Sequence, residues 1–335
     1  MWVARPTVGL RDVARAAGVS PQTVSNLVNG YPHISPQTRA KVEGAIARLG
    51  YKPNMAARNL RLGRTGVIAL AVPEIANPYF AELAKEVITA ADENGIGVFI
   101  EQTGGDPNLE RAVLKGIRSH LVDGVIFSPL GIDGAEINAM EKTTPLVLLG
   151  ERAQDHHVAI DNVRAARDAV EHLIASGRRR IAAIGAQHEE RSATARLRLS
   201  GYHEALATHG ITPETGLIVN ADPWDREEGA AAVQRLLDSD ATPEALFCFS
   251  DLLAIGALAR LRQLGLGVPD DLAVIGIDGI REGEFSAPPL TTIAPDKQSI
   301  ASRAVRLILR RINDPEAAPP GDQFVEHRLV RRQST

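Results

Sequence analysis

The run Leu10-Arg-Asp-Val-Ala-Arg-Ala-Ala-Gly-Val-Ser-Pro-Gln-Thr-Val-Ser-Asn-Leu-Val-Asn-Gly30 reads as two short helices joined by a tight turn. Leu10, Val13, Ala14 and Ala17 recur at helical spacing, and Gly18 supplies the left-handed residue that ends a helix. Ser20 suits an N-cap and Pro21 the first helical position, so a second helix starts there. Its inward stripe is Val24, Leu27 and Val28, which leaves Gln22, Thr23, Ser25, Asn26 and Asn29 pointing outward. Two short helices, a glycine turn and a polar outer face on the second make a helix-turn-helix. An ordinary helical hairpin would have no use for uncharged amides clustered on that face.

Working outward, Ser35-Pro36-Gln37-Thr38 repeats the helix-start chemistry of Ser20-Pro21-Gln22-Thr23. A third helix to about Leu49 follows, with Val42, Ala45, Ile46 and Leu49 as its apolar stripe. Gly50-Tyr51-Lys52-Pro53 breaks it. Asn54 to Leu62 reads as one more short helix, closed by Gly63 and almost without an apolar face. So short a segment is too brief for a stable isolated helix. It is expected to order against DNA or a partner and to act as a hinge.

The charge pattern supports a nucleic-acid partner. Residues 1–65 carry ten basic side chains against two acidic ones, within a chain whose net charge is −4. A basic head on an acidic body is what phosphate contact requires. The chain of 335 residues, 44% hydrophobic and 23% charged, has room for two or three globular units. No apolar run long enough to span a bilayer and no export signal are apparent, so a cytoplasmic protein is expected. The single Cys248 can form no intrachain disulfide and reads as a small core residue.

From Gly66 onward short apolar runs alternate with amphipathic stretches. The expected strands are Val67–Val72, Val98–Ile100, Val125–Phe127, Leu146–Leu149, Ile181–Ile184, Leu246–Phe249 and Val274–Ile277. This alternation predicts parallel sheets covered by helices on both faces. The strands fall into two groups, which gives two α/β lobes, roughly 66–160 and 161–290, with C-terminal crossover segments. Ligand is expected between them, at the carboxyl ends of the strands. The full division is a head at 1–53, a hinge at 54–65 and a body at 66–335. The fold class is thus α/β with an all-α N-terminal head.

These residues resemble the LacI/GalR family of bacterial transcriptional regulators over essentially the whole chain. The head carries Asp12-Val13-Ala14, Ala17-Gly18-Val19-Ser20, Thr23-Val24-Ser25, Asn29-Gly30 and Gly50-Tyr51-Lys52-Pro53-Asn54. The body adds Asn77-Pro78-Tyr79-Phe80, Asp123-Gly124, Asp161-Asn162, the stretch from Arg196 to Tyr202, Ser250-Asp251, Gly276-Ile277-Asp278 and the stretch from Pro289 to Ile293. The resemblance implies a body similar to periplasmic sugar-binding proteins, a small effector, often a sugar or nucleobase, and a homodimer on a palindromic operator.

By that resemblance Pro21, Gln22 and Asn26 choose bases in the major groove of double-stranded operator DNA. Gln and Asn can each pair bidentately with adenine. The family's usual residue at Asn26 is Arg, which favours guanine, so this operator is expected to differ; a phosphate or water contact is the other reading of Asn26. Ser20, Thr23, Ser25, Asn29, His33 and Thr38 are placed against phosphates. Gly9 stands where Thr is common and supplies no hydroxyl. Asn54, Ala57 and Leu60 form the minor-groove element, with Leu60 as the wedge between base steps; packing of Leu60 on the body or on a partner hinge is the alternative.

For the effector, Tyr79, Phe80 and Trp224 are the aromatic candidates, each equally readable as core. Arg198 and Asp278 match family effector positions, and Ser250 stands where Asn is common. Gly150 and Lys297 also depart from the family pattern, so ligand identity does not transfer. Asp251 is read as the cap of the helix that follows it, and His156-His157 as loop surface. Neither a dinucleotide or Walker loop, nor a Gly-x-Ser-x-Gly, nor a metal-ligand spacing among the nine His is present, so no cofactor, no metal and no catalysis are expected. An α/β enzyme or a solute-binding protein is disfavoured by residues 1–64. A repressor is the leading expectation, and activation is also compatible. The polar end Arg331-Arg332-Gln333-Ser334-Thr335 contains no heptads, so a dimer is expected rather than a tetramer.

Overall fold

A computed structural model describes residues 8–28, 31–51, 64–116, 120–140, 144–150, 157–187, 193–239, 241–315 and 324–335. The chain divides into two units, residues 1–65 and 66–335. Asn29, the hinge residues Asn54, Ala57 and Leu60, and His156 lie outside the described residues.

The head holds α1 (Leu10–Ala17), α2 (Pro21–Val28) and α3 (Pro36–Leu49). Val13 and Ala14, Val24 and Leu27, and Val42 and Ala45 meet with Tyr51 in one small core. Gly18 (φ +68°) and Gly50 (φ +61°) end α1 and α3 in left-handed caps. The following amide returns to the last helical turn in both, Val19 to Ala14 and Tyr51 to Ile46, each at 3.1 Å. Gly9 offers no side-chain cap; the Asp12 carboxylate accepts its N–H at 3.0 Å instead.

Lobe 1 of the body contains β1 (Val67–Val72), α4 (Pro78–Asp92), β2 (Gly97–Gln102), α5 (Pro107–Leu114), β3 (Gly124–Phe127), α6 (Gly134–Ala139), β4 (Leu146–Leu149) and β5 (His157–Ile160). Lobe 2 contains α7 (Asn162–Ala175), β6 (Ile181–Ala186), α8 (Ala193–Thr208), β7 (Ile218–Asn220), α9 (Arg226–Leu237), β8 (Ala245–Cys248), α10 (Asp251–Gln263), β9 (Ala273–Ile277) and β10 (Thr291–Pro295). The chain then returns to lobe 1 with α11 (Lys297–Asn313) and β11 (Phe324–Val325), and to lobe 2 with β12 (His327–Val330). The two sheets run β11-β5-β4-β3-β1-β2 and β12-β10-β9-β8-β6-β7, parallel throughout except for β12 against β10.

Alternation along the strands explains why both faces of lobe 1 are apolar. Ala69, Ala71, Val125, Phe127, Leu146 and Leu148 pack one way, toward Val113, Ile132 and Ile137. Ile68, Leu70, Ile126 and Val147 pack the other way, into the core that α4 and α11 close. The lobes are joined by three crossovers, at Asp161, Asp296 and Glu326. They run side by side: Val325 pairs with Ile160, Pro295 with His327, and the Asp296 amide donates to the Glu326 carbonyl at 3.2 Å.

Several elements differ from the sequence reading. His157 is not loop surface: it opens β5, half-buried, with its ring edge-on to Phe324 at 6.0 Å. The run expected at Leu246–Phe249 is the strand Ala245–Cys248, so Phe249 lies beyond the strand end. β5, β7, β10, β11 and β12 were not expected as strands, being short, at sheet edges or rich in Thr, His and Arg.

Candidate DNA-reading face and effector cleft

The start of α2 is built by its cap. Ser20 Oγ accepts the Thr23 N–H at 3.1 Å, and the two hydroxyls sit 2.9 Å apart. α3 repeats the arrangement, with Ser35 Oγ accepting the Thr38 N–H at 3.2 Å and bonding the Thr38 hydroxyl. Pro21 and Gln22 are exposed, and Thr23, Ser25 and Asn26 half-exposed. Gln22 Nε2 donates to Asn26 Oδ1 at 2.8 Å, one helical turn on. The two candidate base readers therefore form one amide pair, in which Asn26 Oδ1 keeps a second lone pair for another donor. His33 is exposed, its ring edge-on to Tyr31 at 5.6 Å. Tyr31 is an exposed aromatic beside that face which the sequence reading did not single out.

In the body, the strand ends place the candidates. Tyr79 and Phe80 start α4 after β1, with Asn77 Oδ1 capping the Tyr79 amide at 3.0 Å and the two rings edge to face at 5.3 Å. Trp224 precedes α9; its Nε1 donates to the Gly185 carbonyl at 3.0 Å and its ring packs edge-on against Phe249. With the indole N–H spent, Trp224 offers a ligand only its face. Arg198, on α8, lies 5.3 Å above that ring.

Arg198 is buried and heavily committed. Its Nε donates to Asn162 Oδ1 at 2.8 Å, Nη1 donates to the Phe249 carbonyl, and Nη2 stands 3.7 Å from Asp278 Oδ1. The motif around it is explained by packing. A side chain at Gly201 would strike the Val163 carbonyl of α7, and Tyr202 donates to the Ile181 carbonyl at 2.9 Å. Both features press α8 onto α7 and β6, which fixes where Arg198 emerges. Asn162, quoted only as part of a motif, is the partner that sequence reasoning missed.

Asp278 has φ +130°, the one positive φ outside glycine among the described residues. Such backbone strain collects at functional sites. Burial pushes its carboxyl above the usual carboxylate range, while Arg198 and Lys297 pull it back. Tyr79 is driven the same way, first by burial and then by the Asp278 charge, so its phenol stays protonated as a donor. Lys297, at the start of α11, donates to the Asp278 and Gly279 carbonyls at 2.6 and 2.9 Å and lies 5.5 Å over the Tyr79 ring.

One role is corrected. Asp251 is not the helix cap: Ser250 is, with its Oγ accepting the Leu253 N–H at 3.2 Å. Asp251 is fully buried, accepts the Thr292 hydroxyl at 2.6 Å and the Ile280 N–H at 2.9 Å, and so ties β10 and the turn after β9 to α10. Burial, then Asp278, raises its carboxyl above the usual range. Ser250 is buried, and its cap bond leaves its own proton to give. Among the described residues no cluster of His, Cys, Asp and Glu could hold a metal, and no helix is long and apolar enough to cross a membrane.

A helix-turn-helix head and a two-lobed body joined by three crossovers define a class of DNA-binding regulators with a periplasmic-binding-protein-like body. Residues 9–54 match bacterial regulatory proteins of the lacI family, and residues 170–335 match the periplasmic binding protein-like domain. The chain belongs to the lacI family of bacterial regulatory proteins. It is 34% identical over 331 residues to the HTH-type transcriptional repressor CytR of Escherichia coli K12, covering 97% of this chain and 96% of that protein. The lac repressor dimer bound to operator and the anti-inducer ONPF aligns with TM-score 0.83 at 28% identity, over 98% of this chain and 99% of that one. The transcriptional regulator CelR in complex with cellobiose aligns with TM-score 0.72 at 32% identity, over 99% and 100%.

Proposed function

We propose that the protein is a cytoplasmic transcriptional repressor that binds a near-palindromic operator as a homodimer and answers to a sugar or sugar derivative held between its lobes. The observation that carries the effector half is the meeting of Arg198, Asp278 and the Trp224 face at the strand ends of lobe 2, with Tyr79 and Phe80 on lobe 1 and the Tyr79 phenol within reach of the Asp278 field. Aromatic faces with a few fixed polar groups are what a polyhydroxyl ligand needs. The charged groups are already paired with one another, which holds them in fixed positions for ligand hydroxyls. CytR is named a repressor, and the lac repressor and CelR structures hold operator and cellobiose; these roles are extended to this chain as part of the proposal.

In the head, Pro21, Gln22 and Asn26 read bases, and Ser20, Thr23, Ser25, Asn29, His33 and Thr38 position the backbone. Residues 54–65 form the hinge, with Asn54, Ala57 and Leu60 in the minor groove. One head reads too few base pairs for useful selectivity, which calls for a second copy. Ile88, Phe99 and Ile100 on lobe 1 and Phe285 on lobe 2 are exposed large apolar side chains suited to that contact. Selection from random duplexes, then titration of the winner with sugars and nucleobases, tests the reading. An inverted repeat and a sugar that changes affinity about 5–150-fold are expected. A non-repeated site refutes the dimer on a palindrome, and a response to nucleobases alone refutes the sugar.

A further inference from the structure

The two lobes are pinned together by side chains that need no ligand. Glu82, on α4 of lobe 1, reaches lobe 2 with both carboxylate oxygens. Its Oε1 accepts the Arg281 backbone N–H at 2.8 Å, and its Oε2 forms an ion pair with Lys297 Nζ at 3.0 Å. Lys297 opens α11 directly after the crossover at Asp296. Its Nζ donates to the Asp278 and Gly279 carbonyls of lobe 2. The carbonyls converge because the turn is left-handed at both residues, φ +130° and +58°. The strained turn at the cleft, the crossover helix and lobe 1 are thereby held by one cation and one carboxylate.

We propose that Glu82 and Lys297 form a built-in latch that favours the closed arrangement of the lobes before any effector arrives. A residue serving only to start α11 would have no partner on α4, and a residue serving only the ligand would not bridge the two lobes. Lys297 has the partner and makes the bridge. An effector can shift a two-state body only by its differential affinity for the two states. A body already biased by its own latch leaves less of the closure for ligand to drive. The latch is independent of what the cleft binds; only its consequence for operator release rests on the function proposed above.

The test therefore uses full-length protein without effector or DNA. Spin labels are placed at Lys115→Cys on lobe 1 and Thr208→Cys on lobe 2, both exposed positions, and labelled subunits are diluted with unlabelled ones. Cys248 is fully buried and is not expected to take label. Electron–electron double resonance then gives the interlobe distance distribution. The wild type is expected to show a dominant short distance. Lys297→Met and Glu82→Gln should each raise the longer-distance fraction about tenfold, and Lys297→Arg should restore most of the short one. An unchanged distribution in Lys297→Met overturns the latch. So does a distance change accompanied by equally faster hydrogen exchange in the interior strands β6 and β8, because Lys297 would then be a folding residue.

Discussion

Replacing Arg198 with Ala tests the cleft where its energetics are most exposed. The side chain is buried, and its loss removes charge-assisted bonds to Asn162 and the Phe249 carbonyl, a cation over Trp224 and the countercharge of Asp278. Removing one partner of a buried pair costs about 3–5 kcal/mol, mostly because the other charge is stranded. The variant should accordingly be less stable as well as unresponsive to effector, with its operator contacts intact. The sign of the pH dependence follows from Asp278. Its folded pKa already lies above its unfolded value near 4, so the folded state holds more proton than the unfolded state above that pH. Stability conferred by the protonated form is present at low pH and lost as pH rises through the folded pKa. Without Arg198 that folded pKa climbs further, so the loss continues to higher pH. Urea unfolding of wild type and variant at pH 5 and pH 8, followed by tryptophan fluorescence, should show a penalty smaller at pH 5 by about 1–2 kcal/mol. Adding Asp278→Asn should recover part of it at pH 8 only. An equal penalty at both pH values would refute the stranded charge as its cause.

Operator selection with Asn26→Arg should move the preferred base at one position from adenine toward guanine, whereas loss of Lys or Arg elsewhere in the head should weaken all duplexes alike; identical selected sites would show that Asn26 reads no base. Leu60→Ala should cut affinity for operator by one to two orders of magnitude, about 1.4–3 kcal/mol, yet leave salt-dependent binding to scrambled duplex nearly unchanged. Equal losses in gel shifts on both duplexes would sink the wedge. Light scattering at micromolar concentration should give a dimer, and Phe285→Glu should shift it toward monomer; a tetramer, or no response to Phe285→Glu, counts against the assembly proposed.

The head is legible because its signals are local. Ser35, Gly18 and Gly50 announce helix ends through their own chemistry, and a helical stripe such as Val42 and Ala45 needs no distant partner. The central strands are legible as apolar runs for the same reason. β10 is not, because its buried Thr291 and Thr292 look like surface residues until their partners are known. Those partners are remote: the Thr292 hydroxyl donates to Asp251, 41 residues away. The site divides along the same line. Arg198 and Asp278 come from the resemblance, whereas the bond from Glu82 to the Arg281 amide spans 199 residues and leaves no local trace. Asp251 was misplaced as a cap because Asp and Ser both suit that role. The extended backbone at Ser250, φ −143° and ψ 160°, decides it for Ser250.

The three crossovers also govern how the body can be made. Lobe 1 begins with β1 but is completed by α11 and β11, whose residues 297–325 emerge after almost all of lobe 2. Until then the apolar face that Ile300, Ala304, Val305 and Ile308 will cover has no lid. During synthesis at about 5–20 residues per second, the roughly 140 residues between β5 and α11 leave that face open for about 7–28 s. Lobe 2 cannot finish earlier, since β12 comes later still. Neither lobe is a folding unit that the ribosome releases whole. The body can close only after β12 has been made, and the nascent chain carries an uncovered apolar face for most of the time before it.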